Sequence, residues 1–365
     1  MWKFWKRAKP HNVVEPTTPA ELFVQQFQRE YEAQWQIASP AFEEKRTTRN
    51  DSDPFELWRD LMGQTTQRYF ADSSQNLSGS FSTPPDYGTQ VERFVRSEEQ
   101  GDAAYVLNRV EGPLEKFHEY VLQRRNDGFK ILNIFTYYDD PVQPFVDGMT
   151  IAERVRGCSP DAPLGPLAES DAALDENRTF TNHEVRYGSG ETAQTRVESI
   201  GTLVTSSGML TVWDFGWDND DARPLARMVE PGTYPIDRVT VAKRNAAVRV
   251  RLSEEIPVSW HPAALVNDPG EVVPVDAGCI CIVDYPAYAA MTPRDKAIAE
   301  ESINKVPRPA AIQFSPGASD TGFACDSGNG DGYYPAYWGL DAHGNLAQLV
   351  VDFIMLPAEE DGPAL

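Results

Sequence analysis

The chain has 365 residues, 41% of them hydrophobic and 11% aromatic, so burial can outweigh chain entropy and wholesale disorder is excluded. Its formal net charge is -22 at pH 7, which argues against direct nucleic-acid binding, because phosphate recognition needs clustered Lys and Arg. A surface of that sign suits a basic protein partner, steering encounter and discouraging self-association; its plainer use is solubility.

The length predicts two domains. Cys158, Cys279, Cys281 and Cys325 are too few and too scattered for a disulfide framework. The opening Met1-Trp2-Lys3-Phe4-Trp5-Lys6-Arg7 lacks the apolar core of a signal peptide. No apolar run approaches the roughly 18 residues of a membrane span. These readings predict a cytoplasmic protein with a flexible amino terminus over residues 1–17, although those first residues could also rest on a membrane surface.

Thr18 and Pro19 open a helical pattern whose apolar face is Leu22, Phe23, Phe27, Tyr31, Trp35 and Ile37. A second helix is predicted from Asp53-Pro54, carrying Phe55, Leu57, Trp58, Leu61, Met62, Tyr69 and Phe70. Asp72 to Tyr87 reads as loop. Strands follow at Ala103 to Val110, Phe117 to Arg124 and Phe129 to Tyr138, preceded by a short one at Val91 to Arg96. In the last, Ile131 and Asn133 are expected on one face, with Leu132, Ile134 and Thr136 on the other. Asp139-Asp140-Pro141 ends the run, and residues 141–190 read as a linker or irregular connection.

The second half is rich in short strands. Gly201 to Asp214 suggests two strands around Ser207-Gly208, and Pro231-Gly232 turns into another. Asn245 to Leu252 sets Ala247, Arg249 and Arg251 against Ala246, Val248, Val250 and Leu252, predicting one wet and one buried face. Val275 to Val283 and Leu346 to Leu356 read as further strands, and Thr292-Pro293 to Lys305 as a helix. The expected fold class is α+β: a cone-shaped amino-terminal domain of helices on a curved antiparallel sheet, then a mainly-β sandwich or barrel over 191–358.

The stretch Phe117-His118-Glu119-Tyr120-Val121-Leu122-Gln123-Arg124-Arg125-Asn126-Asp127-Gly128-Phe129-Lys130-Ile131-Leu132-Asn133-Ile134 resembles the closing hairpin of nuclear-transport-factor-2-like domains. The resemblance covers about residues 18–140 and points to versions that serve as immunity proteins of bacterial polymorphic-toxin systems. Such cones can also be enzymes, and Asp102, Tyr105, Tyr120, Tyr137 and His118 are the polar groups near the strands. Strand alternation sets His118 opposite Phe117 and lets it face outward.

A second resemblance rests on Gly201-Thr202-Leu203, Ser206-Ser207-Gly208, Trp213-Asp214, Pro231-Gly232-Thr233-Tyr234-Pro235 and Val275-Asp276-Ala277-Gly278. It continues through Asp326-Ser327-Gly328-Asn329-Gly330-Asp331-Gly332-Tyr333-Tyr334-Pro335 to Asp341, and through Val350-Val351-Asp352-Phe353. These are similar to the bacterial family labelled domain of unknown function 4241, over about residues 195–356. That label implies no reaction and no cofactor.

Asp326, Asn329, Asp331, Tyr333, Tyr334, Trp338 and Asp341 form the most chemically suggestive run. Read as a calcium loop, Ser327, Asn329, Asp331 and Gly332 fit the first ligand positions, but Trp338 stands where a bidentate Glu is needed. A turn with Asp side chains capping backbone amides is simpler, with the aromatics in the core. Cys279 and Cys281 face one side of a strand without zinc-ligand partners, and read as small buried hydrophobes. His261 has no nucleophile in a recognisable setting, and Gly188-Ser189-Gly190 lacks the spacing of a nucleophile elbow.

No catalytic set, metal or cofactor is expected. The sequence points to a non-catalytic protein that binds a basic protein, as an immunity protein neutralising a toxin. A small-ligand-binding or enzymatic amino-terminal cone is the alternative.

Overall fold

The computed structural model describes residues 16–47, 53–165, 174, 179–186, 190–267 and 272–356. The segment 1–15, which holds most of the expected flexible terminus, and Gly188-Ser189 lie outside these residues. The chain divides into two compact units, Met1–Asp140 and Pro141–Leu365. Both mix helix with antiparallel sheet. Among the described residues no helix is long and apolar enough to cross a membrane.

In the first unit, α1 (Pro19–Thr47) begins with a reciprocal cap. Thr18 Oγ1 accepts from the Glu21 amide at 3.3 Å while Glu21 Oε2 accepts from the Thr18 amide at 3.0 Å. Its buried stripe is Ala20, Val24, Phe27, Tyr31 and Ala38. Leu22 and Ile37, expected on that stripe, are exposed, because neither keeps the three-to-four spacing set by Phe27. Asp53 caps α2 (Pro54–Tyr69), which buries Trp58, Met62 and Tyr69 and leaves Phe55 and Leu57 partly exposed.

Four strands make a simple antiparallel meander: β1 (Glu92–Gln100), β2 (Ala103–Val110), β3 (Lys116–Arg125) and β4 (Gly128–Tyr137). One face carries Ala104, Val106, Tyr120, Leu122 and Ile131 into the cluster formed with the two helices. The alternation expected for β4 fails midway. Val121 lies opposite Asn133 but Leu122 lies opposite Ile131, so Leu132 is an unpaired bulge residue. Ile131 and Ile134 therefore both face the helices, and Leu132 is turned outward.

The second unit begins at Pro141. Helix α3 (Gly148–Arg154) is capped by Asp147. Ser159 then bridges to Arg227 in the body of the unit. A small ribbon follows, β5 (Glu184–Arg186) with β6 (Thr192–Gln194). The larger sheet is built from β7 (Arg196–Thr205), β9 (Gly232–Val241), β10 (Arg244–Arg251), β11 (Ser259–Pro262), β12 (Val272–Val275), β16 (Gly332–Leu340) and β17 (Leu346–Asp352). Its order is β11-β16-β17-β10-β9-β7, with β12 also paired to β16. The smaller sheet runs β14 (Ala311–Phe314), β15 (Gly322–Asp326), β13 (Cys279–Asp284), β8 (Leu210–Asp214).

The two sheets share one apolar cluster, to which β13 contributes Ile280 and Ile282. The opposite side of β13 sends Cys279, Cys281 and Val283 into a second cluster with α4 (Tyr285–Ala289) and α5 (Pro293–Asn304). Burial on both faces explains why this strand reads as an unbroken apolar run. Val275 to Val283 is thus two strands in two sheets, separated at Asp276–Gly278, where Gly278 adopts φ +63.

The face expected to be wet, that of Ala247, Arg249 and Arg251, is covered. Leu174, Phe180 and Val185, from the region read as a linker, pack with Ala246, Ala247, Val239 and Val350. Arg249 lies over the Phe180 ring at 4.2 Å and pairs with Asp237 at 2.8 Å, while Arg251 reaches the same carboxylate at 3.0 Å. Paired guanidiniums on long apolar stems can sit under such a cover.

Candidate functional site

Three loops converge at one end of the second unit. Asp214, at the end of β8, is buried and organises two of them. Its Oδ2 accepts from the amides of Asp276 and Ala277 at 2.5 and 3.0 Å, and its Oδ1 from the Gly216 amide at 3.0 Å. The third loop joins through the Ser327 amide, which donates to the Gly278 carbonyl at 3.1 Å. Gly278 lies against Gly330, where a Cβ would sit 3.4 Å from the Gly330 Cα. Several motifs scattered through the sequence therefore meet because each supplies a tight turn that another turn packs on.

Between these loops opens a cleft of about 690 Å³. Trp213, Trp217 and Tyr333 supply aromatic surface; Asp221, Asp276 and Asp331 supply carboxylates. Trp217 and Tyr333 are 49% and 69% exposed, although large aromatics are normally buried for their contact area. The Trp213 Nε1 is buried and donates to nothing among the described residues. The lining guanidinium, Arg223, is turned to the carbonyls of Asp220 and Ala222 at 3.0 and 2.8 Å. The field inside is therefore negative and the walls are aromatic, which is the chemistry that holds a cation.

The residues singled out in the 326–341 run part company here. Asp326 Oδ2 accepts from the Ala310 amide at 2.7 Å, and the same carboxylate pairs with Arg308. Asn329 accepts from Arg244 at 2.8 Å. Asp341 accepts from the amides of His343 and Asn345 at 2.8 and 2.9 Å, shaping the turn between β16 and β17. Tyr334 and Trp338 are buried in the shared core of the two sheets. Asp331 and Tyr333 alone line the cleft. The calcium-loop alternative fails on geometry, since Gly332 onward is strand β16 and cannot wrap an ion. Among the described residues no group of three or more His, Cys, Asp or Glu is placed to hold a metal ion. His261 Nδ1 sits 2.9 Å from the Gly165 carbonyl, a structural tie.

In the first unit the four residues expected to share a cone pocket do not converge. Asp102 is exposed in the turn between β1 and β2. Tyr105 lies opposite Val121 and Tyr137 opposite Phe117, on the face away from the helices. Tyr120 alone points toward them, and His118 does too, contrary to the expected outward orientation. Both converge on Glu92, which the sequence reading missed. His118 Nδ1 is 2.5 Å from Glu92 Oε1, and the Tyr120 hydroxyl donates to Glu92 Oε2 at 2.8 Å. Gln28 Nε2 donates to the same oxygen at 2.6 Å and the Gly88 amide at 3.3 Å. Burial pushes the Tyr120 and Tyr87 phenols upward, with the Glu92 charge adding to both. The His-x-Tyr spacing on one strand face was legible; nothing local marks Glu92 as its partner.

Glu92 also lines a cleft of about 410 Å³ with Val24, Gln28, Phe94, Val106 and Asn108.

No curated protein and no solved structure matches this chain. Residues 203–351, a stretch that runs from the end of β7 into β17 and contains the whole aromatic–acidic cleft, match the family described as protein of unknown function (DUF4241).

Proposed function

We propose that the protein acts without catalysis, by binding a basic protein, and that a cationic side chain of that partner seats between Trp217 and Tyr333. The observation that carries this reading is the pair of exposed aromatics set among Asp221, Asp276 and Asp331. A Lys or Arg head placed there gains ring attraction and carboxylate pairing together, on the order of 1–3 kcal/mol for one side chain. The net charge of -22 would speed encounter with such a partner. On this reading the chain is an immunity-type protein of a bacterial cytoplasm and its partner a basic toxin domain. The hairpin resemblance of the first unit supports this, and its helices on one face of a meander support the cone description. Two sheets sharing one apolar cluster support the sandwich description of the second.

The test is titration with an arginine-rich peptide, followed by tryptophan fluorescence. The expected result is saturable binding that weakens with salt and falls at least about tenfold in a Trp217→Ala/Tyr333→Ala double variant. Equal binding by the double variant would sink the cleft assignment. Failure to protect cells that express a partner toxin would sink the immunity reading.

A second reading is favoured by one observation, the buried Glu92–His118 pair beneath the 410 Å³ cleft. It makes the amino-terminal unit a holder of a small ligand.

A further inference from the structure

The side chain that decides what the amino-terminal cleft can hold is Asn108. It stands on β2 opposite His118, on the face toward the helices, and is 3% exposed. It lines the cleft. Gln28, His118 and Tyr120 are committed to Glu92, and the Asn108 side chain makes no hydrogen bond among the described residues. The Asn108 carboxamide opens on the cleft with no protein partner, so its donor and acceptor are available to a molecule seated there.

The rest of the lining narrows the ligand. Glu92 can only accept, and its four donors hold it fixed. The neighbouring carboxylate of Glu21 is taken up by the Thr17 and Thr18 amides and the Ser97 hydroxyl. Arg93 is turned to the Thr89 and Glu92 carbonyls and pairs with Glu111. An anion would therefore meet two carboxylates and no free cation. Val24, Val106 and Phe94 leave apolar walls.

Resting on the small-ligand reading of this unit, we infer that the cleft binds a small uncharged molecule with an amide edge, an N–H beside a C=O, as in a cyclic amide or a pyrimidine base. The Asn108 carboxamide pairs with that edge through one donor and one acceptor, and Val24, Val106 and Phe94 pack against the rest of the molecule.

The experiment uses the full chain with uracil and 2-pyrrolidone as probes, benzoate and toluene as controls, and reads ligand-observed NMR and thermal shift. Both amides bind and benzoate does not. Asn108→Leu loses at least about tenfold in affinity, yet without probe melts no lower than the wild type, because no protein group loses a hydrogen-bond partner. Asn108→Ala, which removes both the donor and the acceptor, loses both amide probes. Binding of benzoate or toluene in place of the amides overturns the ligand class and leaves the small-ligand reading standing. Binding of none of the probes overturns both. An Asn108→Leu variant that melts well below the wild type, with Asn108→Ala still binding uracil, shows Asn108 to be structural and also overturns the inference.

Discussion

Single buried side chains hold together segments that are far apart in the sequence. Asp284 is 1% exposed and ends β13. Its Oδ2 accepts from the Thr205 hydroxyl at 2.5 Å, the Ser207 hydroxyl at 2.7 Å and the Ser207 amide at 3.1 Å, while Oδ1 caps α4 through the Ala287 amide at 3.3 Å. It therefore fixes the corner at which the chain leaves one sheet for the other. Asp284→Ala strands these donors and is expected to cost about 3 kcal/mol in urea unfolding, with Asp284→Asn costing less. Lys296 is a second such residue. Its ammonium lies 2.6 Å from the Tyr288 hydroxyl and 4.2 Å from the Phe215 ring centroid, and burial lowers its pKa. Glu300, 3.8 Å away, is pushed by burial from the usual 4.5 to about 7. The folded chain then keeps a proton that the unfolded chain has released between these values. The contribution of Glu300 is complete below pH 4.5 and is lost as pH rises through 7. Urea midpoints between those pH values should fall less steeply in Glu300→Gln than in the wild type. Neither Asp284 nor Lys296 was legible, since each matters only through partners brought by the fold.

At the scale of elements, caps and turns were readable because their chemistry is local. Thr18, Asp53 and Thr292 each sit one residue before a Pro that starts a helix. The strand faces were readable only where a strand has one buried side and no bulge. In β4 a single inserted residue, Leu132, moved Ile134 to the side of Ile131. In β10 a bulge brings Ala246 into the cluster of Ala247, and from Ala247 onward the expected polar side is roofed by the segment around Phe180. That segment was read as a linker because its Pro and Gly content is loop-like, and loops can still bury an aromatic. Phe180→Ala should cost about 3 kcal/mol and speed hydrogen exchange along β10, since the ring covers Ala247 and carries the Arg249 guanidinium. Unchanged exchange in β10 would show that the roof contributes little.

For the whole molecule, the surplus of acidic side chains makes self-repulsion a general destabilising term. Raising NaCl from about 20 to about 300 mM should therefore raise the melting temperature by a few degrees while weakening capture of an arginine-rich peptide. Opposite signs for the two responses separate repulsion within the chain from attraction to a partner. The amino-acid sequence by itself determined the charge, the helix starts, the meander hairpins and the run of apolar strands, because each depends on neighbours within a few positions. Only the tertiary structure decided which turns stack into the aromatic–acidic cleft and which carboxylate meets His118. Those pairings join residues tens to more than a hundred positions apart, and what brings them together is the packing of whole sheets and helices rather than any local preference.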